Sequence, residues 1–177
     1  MNSNETTYCP RCGTELGTRH VDGRDRQYCE RCDRVEWRNP LPGAGVAVVD
    51  PDRGVLLAQR DIEPGVGEWV VPGGYMEVEE TPAVAGTREL EEETGVSVDP
   101  DAVELLGTFT ATPFDGKRIV SIGYVVHARH AAGTPHAGHE VQAVDWFTPE
   151  AFAASDHVFH EPHDERFERA WADVAER

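Results

Sequence analysis

The chain has 177 residues, is 39% apolar, and carries 33 acidic against 16 basic side chains, for a formal net charge of −17. That length and apolar content suit one sizeable core with a small appendage and exclude a disordered tail. There is no apolar run approaching the ~18 residues of a membrane span, and the start MNSNETTYCP has no basic and apolar leader, so a soluble, cytoplasmic protein is expected.

The charge is unevenly spread. Residues 1–40 hold seven arginines and seven acidic residues, so the whole net charge sits on residues 41–177. Two modules are expected, 1–40 and 41–177. Fifteen arginines against one lysine, Lys117, in so acidic a chain point to a halophile-like source, where salt screens the self-repulsion. Acidity alone is therefore no sign of a site.

All four cysteines lie in the first module, as Cys9-Pro-Arg-Cys12 and Cys29-Glu-Arg-Cys32. Two C-x2-C pairs sixteen residues apart put two thiolate pairs on two tight turns, a tetrahedral set for structural Zn²⁺. Gly13 follows the first pair, where such a knuckle needs a residue tolerant of positive φ. Two disulfides are the rival reading, which a reducing compartment disfavours. Forty residues bury too little surface to fold alone, so metal would supply the stability. Trp37 to Gly43, WRNPLPG, reads as a stiff linker.

In the second module, GAGVAVVD and GVLLAQR, separated by Asp50 to Gly54, predict a hairpin of two buried strands. EWVVPGGY predicts another strand, ending at Gly73-Gly74. A helix follows, with Thr81 as its N-cap, Pro82 in the first position and Gly95 just past the end. VELLGTFTATPF, RIVSIGYVVHARH and EVQAVDWF predict further strands, with Phe114 to Arg118 as a hairpin turn. PEAFAAS and HDERFERAWADVAER predict helices. The fold class is α/β (α+β), a mixed sheet flanked by helices. The histidines at 157, 160 and 163 lack a partner set and read as surface, His127 and His130 read as ending a strand, Trp69 as core packing, and Arg60 as structural.

Glu89, Glu92 and Glu93 stand at i, i+3 and i+4 of the first helix, on one face. Like charges at that spacing cost ~0.2–0.5 kcal/mol per pair, and a helix C-terminus disfavours anions by ~0.3–1 kcal/mol each. Their convergence makes sense around hard divalent cations, which take oxygen ligands.

Gly74, five residues, Glu80, seven residues, then Arg88-Glu89-Leu90-Glu91-Glu92-Glu93-Thr94-Gly95-Val96 resembles the Nudix box, G-x5-E-x7-R-E-U-x-E-E-x-G-U, at every defined position. The resemblance spans roughly residues 43–155, and the module before it is similar to the zinc ribbon of some Nudix pyrophosphatases. It implies a Nudix-type fold and a hydrolase that cleaves the pyrophosphate of a nucleoside diphosphate-linked small molecule. It also implies that Glu89, Glu92 and Glu93 bind Mg²⁺ or Mn²⁺ with help from the Gly73 carbonyl. Arg88 and Glu80 orient the glutamates, and one carboxylate activates the attacking water. Family members often add an outlying glutamate, a place that Glu140 fills here.

The run that marks NADH-hydrolysing relatives is missing after the box, and the whole is more similar to enzymes acting on ADP-ribose and FAD. NADH and nucleoside triphosphates remain alternative substrates, and a nucleotide sensor or nucleic-acid-binding module the non-enzyme alternative. The ribbon is only neutral, so nucleic acid is not expected as a partner. The oligomeric state is open, a homodimer being one arrangement.

Overall fold

The computed structural model describes residues 7–114 and 117–175, without the side chains of 112–117 and 175. The chain divides into two compact units, one running to Pro40 and including Pro113–Arg118, the other holding Leu41–Thr112 and the chain from Ile119 onward.

The first unit is a three-stranded antiparallel sheet, β1 (Gly17–Val21), β2 (Arg24–Cys29) and β3 (Arg34–Glu36). Two turns carry the cysteines. Gly13 after Cys12 and Asp33 after Cys32 both adopt left-handed backbone, φ 71° and 51°, and the Gly13 N–H donates to the Cys9 carbonyl at 2.8 Å. Arg19 lies over the Tyr28 ring and pairs with Glu30, while the Tyr28 hydroxyl donates to Asp33.

The second unit is built on β4 (Leu41–Asp50), β5 (Gly54–Arg60), β6 (Trp69–Val70), β7 (Gly73–Tyr75), β8 (Ser97–Val98), β9 (Glu104–Phe114) and β10 (Lys117–His127) apart from their ends at 113–118, β11 (Ala131–Ala132) and β12 (Val141–Phe147), with helices α1 (Pro82–Thr94), α2 (Pro149–Ala153) and α3 (His163–Ala175). The main sheet runs β12-β5-β4-β10-β9, with β6 added to β5 and β7 to β4. It is mixed, because β10 runs parallel to β4 (Ile119↔Leu41 to His127↔Val49) while β5 is antiparallel to both β4 and β12.

Strand alternation explains why residues 44–49 are continuously apolar. Val46 and Val48 pack on one face with Leu56, Leu90, Val96 and Val126, while Ala47 and Val49 pack on the other with Leu57, Trp69, Val125, Phe147 and Phe167. Helix α1 covers the first face and α3 the second, so the central strands are buried on both sides.

The expected single strand at EWVVPGGY is two. Pro72, with no N–H to donate, separates β6 from β7, and each half joins a different neighbour. The hairpin of β4 and β5 is short, pairing only Val49↔Val55 and Asp50↔Gly54, because β6 and β7 enter where the two strands part. The stiff linker ends earlier than expected, since β4 begins at Leu41. Of the turn expected at Phe114 to Arg118, Asp115 and Gly116 lie outside the described residues, as does the Lys117 side chain. No helix among the described residues is long and apolar enough to cross a membrane.

Candidate functional site

Helix α1 is punctuated as its sequence predicts. The Thr81 side chain accepts from the Val84 N–H, Pro82 opens the first turn, and Gly95 closes the helix at φ 68° with its N–H on the Glu91 carbonyl. On the side facing the sheet a Cβ on Gly86 would come within 3.2 Å of a Val46 methyl, so the missing side chain lets the helix lie close on β4.

Arg88 is the hub of the polar face. Its Nε and Nη2 donate to the two carboxyl oxygens of Glu80, at 2.6 and 3.1 Å. Nη1 reaches Glu89 at 2.8 Å and Glu92 at 3.0 Å, and Nη2 also donates to the Tyr75 carbonyl at 3.1 Å. All five guanidinium donors are used. The pair holds the Glu80 carboxyl down at about 2, chiefly through Arg88 and then through the Glu77 N–H.

Glu93 turns the other way. Its Oε2 accepts the Gly73 N–H at 3.0 Å, and burial pushes its pKa up to about 8, with the charges of Glu89 and Glu140 adding to the rise and Arg60 opposing it. Burial raises Glu89 as well, against the pull of Arg88. The Glu89 carboxyl occupies the space where a Cβ on Gly74 would sit, 2.6–2.7 Å away. The box glycine is therefore required by its neighbour Glu89, which the spacing alone did not explain.

Glu140, expected as an outlying acid, stands beside this group. It has left-handed backbone, φ 63°, its carbonyl accepts the Asp61 N–H, and its charge bears on Glu93. The loop before it caps α1. The N–H groups of His136, Gly138 and His139 donate to the carbonyls of Thr94, Glu93 and Glu92 at 2.9, 2.9 and 3.2 Å, satisfying acceptors that a helix end leaves open. A Cβ on Gly138 would fall 2.0 Å from the Glu92 carbonyl oxygen. That clamp was not read from the sequence, where GTPHAGH looks like any polar loop.

Two partly buried carboxyls, Glu89 and Glu93, whose charges oppose each other suit a hard cation with oxygen ligands. The oxygens of Glu89, Glu92 and Glu93 do not gather as closely as the four thiols do. Arg88 takes one oxygen each from Glu89 and Glu92 while Glu93 holds Gly73.

In the first unit the sulfurs of Cys9, Cys12, Cys29 and Cys32 all lie within 4.8 Å of one another, with Cys12 and Cys29 at 3.6 Å. Thr14 lowers Cys12 to about 6, and Cys12 in turn pushes Cys32 up to about 12. Four thiols cannot all ionise together unaided, and a divalent cation would relieve that opposition.

The histidines divide. His127, His130 and His157 keep exposed or partly exposed positions, although His157 also packs at 5.2–5.9 Å from the rings of Trp69, Phe147 and Phe152. His160 pairs with Glu68 at 2.6 Å, and His163 Nδ1 accepts the Val71 N–H at 3.0 Å, where burial lowers its pKa well below the usual value. These last two are structural, not surface: His163 opens α3 against the sheet, and the His160 N–H donates to the Trp69 carbonyl at 3.0 Å. Trp69 is core as expected, and Arg60 donates to the Pro64 carbonyl.

The pattern of the NUDIX domain matches residues 39–169. A MutT-like protein of Streptomyces ambofaciens is 38% identical over 112 residues, 63% of this chain and 67% of that one. An ADP-ribose pyrophosphatase of Methanocaldococcus jannaschii is 30% identical over 101 residues, 56% of this chain and 57% of that one. The chain thus spans little more than half of that second relative's length. The crystal structure of a MutT NUDIX hydrolase from Burkholderia pseudomallei superposes with a TM-score of 0.64 at 28% identity, covering 74% of this chain and 98% of that one.

Proposed function

The chain belongs to the NUDIX family and is a hydrolase of that type, and from this premise we propose that it cleaves the pyrophosphate bond of ADP-ribose, yielding AMP and ribose 5-phosphate. The observation that carries the reading is the constellation of Glu80, Arg88, Glu89, Glu92 and Glu93 on one helix and its preceding loop, held by Arg88 and Gly73. The ADP-ribose pyrophosphatase of M. jannaschii supports the substrate. FAD shares the adenosine diphosphate half and is the second substrate of this reading.

Glu89, Glu92 and Glu93 are the residues that would hold Mg²⁺ or Mn²⁺, with the Gly73 carbonyl beside them. Bound there, the cation supplies neutralisation of the charge developing on the pyrophosphate and a more acidic water. Arg88 fixes the rotamers of Glu89 and Glu92, and Glu80 fixes Arg88, so the acceptors are in place before substrate arrives. In the metal-free site burial raises the pKa of Glu93 to about 8, and a bound divalent cation would favour its charged form, the form able to accept a proton from water. Glu140 stands beside it as a second acid that tunes the same proton. Cys9, Cys12, Cys29 and Cys32 would hold Zn²⁺ with no open position, a structural site.

The test is a panel of ADP-ribose, FAD, NADH and nucleoside triphosphates with Mg²⁺ at high salt, with products identified. ADP-ribose is expected to give the highest kcat/KM. A tenfold or greater preference for NADH, or cleavage of triphosphates alone, overturns the choice of substrate.

A further inference from the structure

Helix α3 presents one apolar stripe to the sheet, with Phe167 and Ala170 buried in it. Arg166 lies in the same stripe and is only 4% exposed. A buried cation normally carries an acidic partner. Here, among the described residues, none is found. Nε is sealed from solvent and has no hydrogen-bond partner, and burial alone lowers the group to about 10, leaving it charged at neutral pH. Arg88, by contrast, spends all five donors on three carboxylates and a carbonyl.

The surroundings of Arg166 accept the arginine but do not neutralise it. The guanidinium lies 4.8 Å from the centroid of the Phe109 ring, a favourable contact that satisfies no N–H donor. Its Nη1 approaches the backbone of β4 where Gly45 has no side chain, and a Cβ there would be 3.2 Å away. One turn earlier, His163 accepts the Val71 N–H on Nδ1, so its neutral ring carries a proton on Nε2 and adds a donor instead of an acceptor. Arg169, the next cation on the helix, is already paired with Glu165.

The position relates this cation to the chemistry. Gly45 pairs with Gly73 across β4 and β7, and the Gly73 N–H is the group that holds Glu93. Arg166 thus approaches Gly45 from α3 while Glu93 holds Gly73 from α1, and the pairing of the two glycines links the cation to the carboxyl. The glycines let backbone, cation and ligand approach closely, as side chains here would not.

We propose that Arg166 is a specificity-determining residue, the counter-charge for a phosphate oxyanion of the nucleotide substrate. A guanidinium fork matches such an oxyanion in two bonds, which a halide or a point charge does not exploit. The inference rests on the pyrophosphatase reading, but the arginine's need for an oxyanion does not depend on which nucleotide is cleaved.

The experiment compares the wild type with Arg166→Met in two arms at fixed ionic strength. In the first, thermal unfolding is followed against inorganic phosphate, with no added divalent cation and chloride as the control anion. Phosphate is expected to raise the wild-type Tm beyond chloride, and Arg166→Met to lose that rise while its ligand-free Tm is equal or higher, because an unneutralised buried charge has been removed. In the second, steady-state kinetics with ADP-ribose are expected to show KM raised at least about tenfold with kcat within about threefold, the scale of one lost charge-assisted contact. Should Arg166→Met not fold, Arg166→Lys keeps the charge without the fork and is expected to weaken both responses.

A wild type that phosphate does not stabilise beyond chloride overturns the proposal. So does a variant with the wild-type phosphate response, or one with a lowered ligand-free Tm and unchanged KM. If ADP-ribose is not cleaved at all, the pyrophosphatase reading fails while the phosphate arm still decides the role of Arg166.

Discussion

Arg88 grips Glu80 with two hydrogen bonds, 2.6 Å from Nε and 3.1 Å from Nη2, and this fork is what frees Nη1 for Glu89 and Glu92. A lysine cannot span those acceptors at once. Arg88→Lys is expected to lower kcat/KM for ADP-ribose by about 10–100-fold, as misplaced acceptors do, with an unchanged circular dichroism spectrum. Kinetics within twofold of the wild type would show that the fork is not needed.

Glu93 and Glu80 give opposite pH dependences to the metal-free protein. Glu93 is raised to about 8, above an unfolded value of about 4.3, so the unfolded chain binds fewer protons between those limits and stability falls as pH rises through them. Glu80, lowered to about 2, contributes stability that is present above about 4.3 and lost as pH falls toward 2. Glu93→Gln is therefore expected to be more stable than the wild type at pH 8, with the gap closing toward pH 4. Chemical denaturation at both pH values checks this, and a gap that does not change with pH would refute it.

Gly138 is expected to tolerate no side chain. Its Cβ would meet the Glu92 carbonyl oxygen, so Gly138→Ala must push the loop off the end of α1 and carry Glu140 with it. The expected outcome is a kcat lowered about tenfold or more, with Glu140→Gln showing a similar loss but an unchanged Tm. A fully active Gly138→Ala would mean that the clamp does not position the site.

Cys12→Ser is expected to abolish zinc binding in metal analysis and to expose residues 1–40 to limited proteolysis, while the second unit keeps its circular dichroism signal. A native protein with no zinc, or with zinc retained in the variant, would contradict the four-thiolate site.

Much of this was legible because it is local. The caps of α1 and the face shared by Glu89, Glu92 and Glu93 depend on spacing within one helix, which periodicity reports, while Glu80 and Arg88 were legible only through the resemblance to the Nudix box. The four thiols were legible from their spacing too. The parallel pairing of β10 with β4 joins strands with nearly seventy residues between them, and nothing in either strand's alternation specifies that neighbour. Pro72 could have been read as a strand break, since it cannot donate to a ladder. Arg166 also left a trace, a charge between the apolar positions of the last helix, but only burial shows that it has no counter-ion.

The carboxyl group of Glu93 is expected to take part in pyrophosphate cleavage. The most direct test is kcat of Glu93→Gln with saturating ADP-ribose and Mg²⁺, with AMP and ribose 5-phosphate measured as products. A glutamine keeps an oxygen to accept the Gly73 N–H but has no proton to exchange, so the fold should persist and kcat should fall at least ~10²-fold. Turnover within a few-fold of the wild type, giving the same products, would contradict the claim.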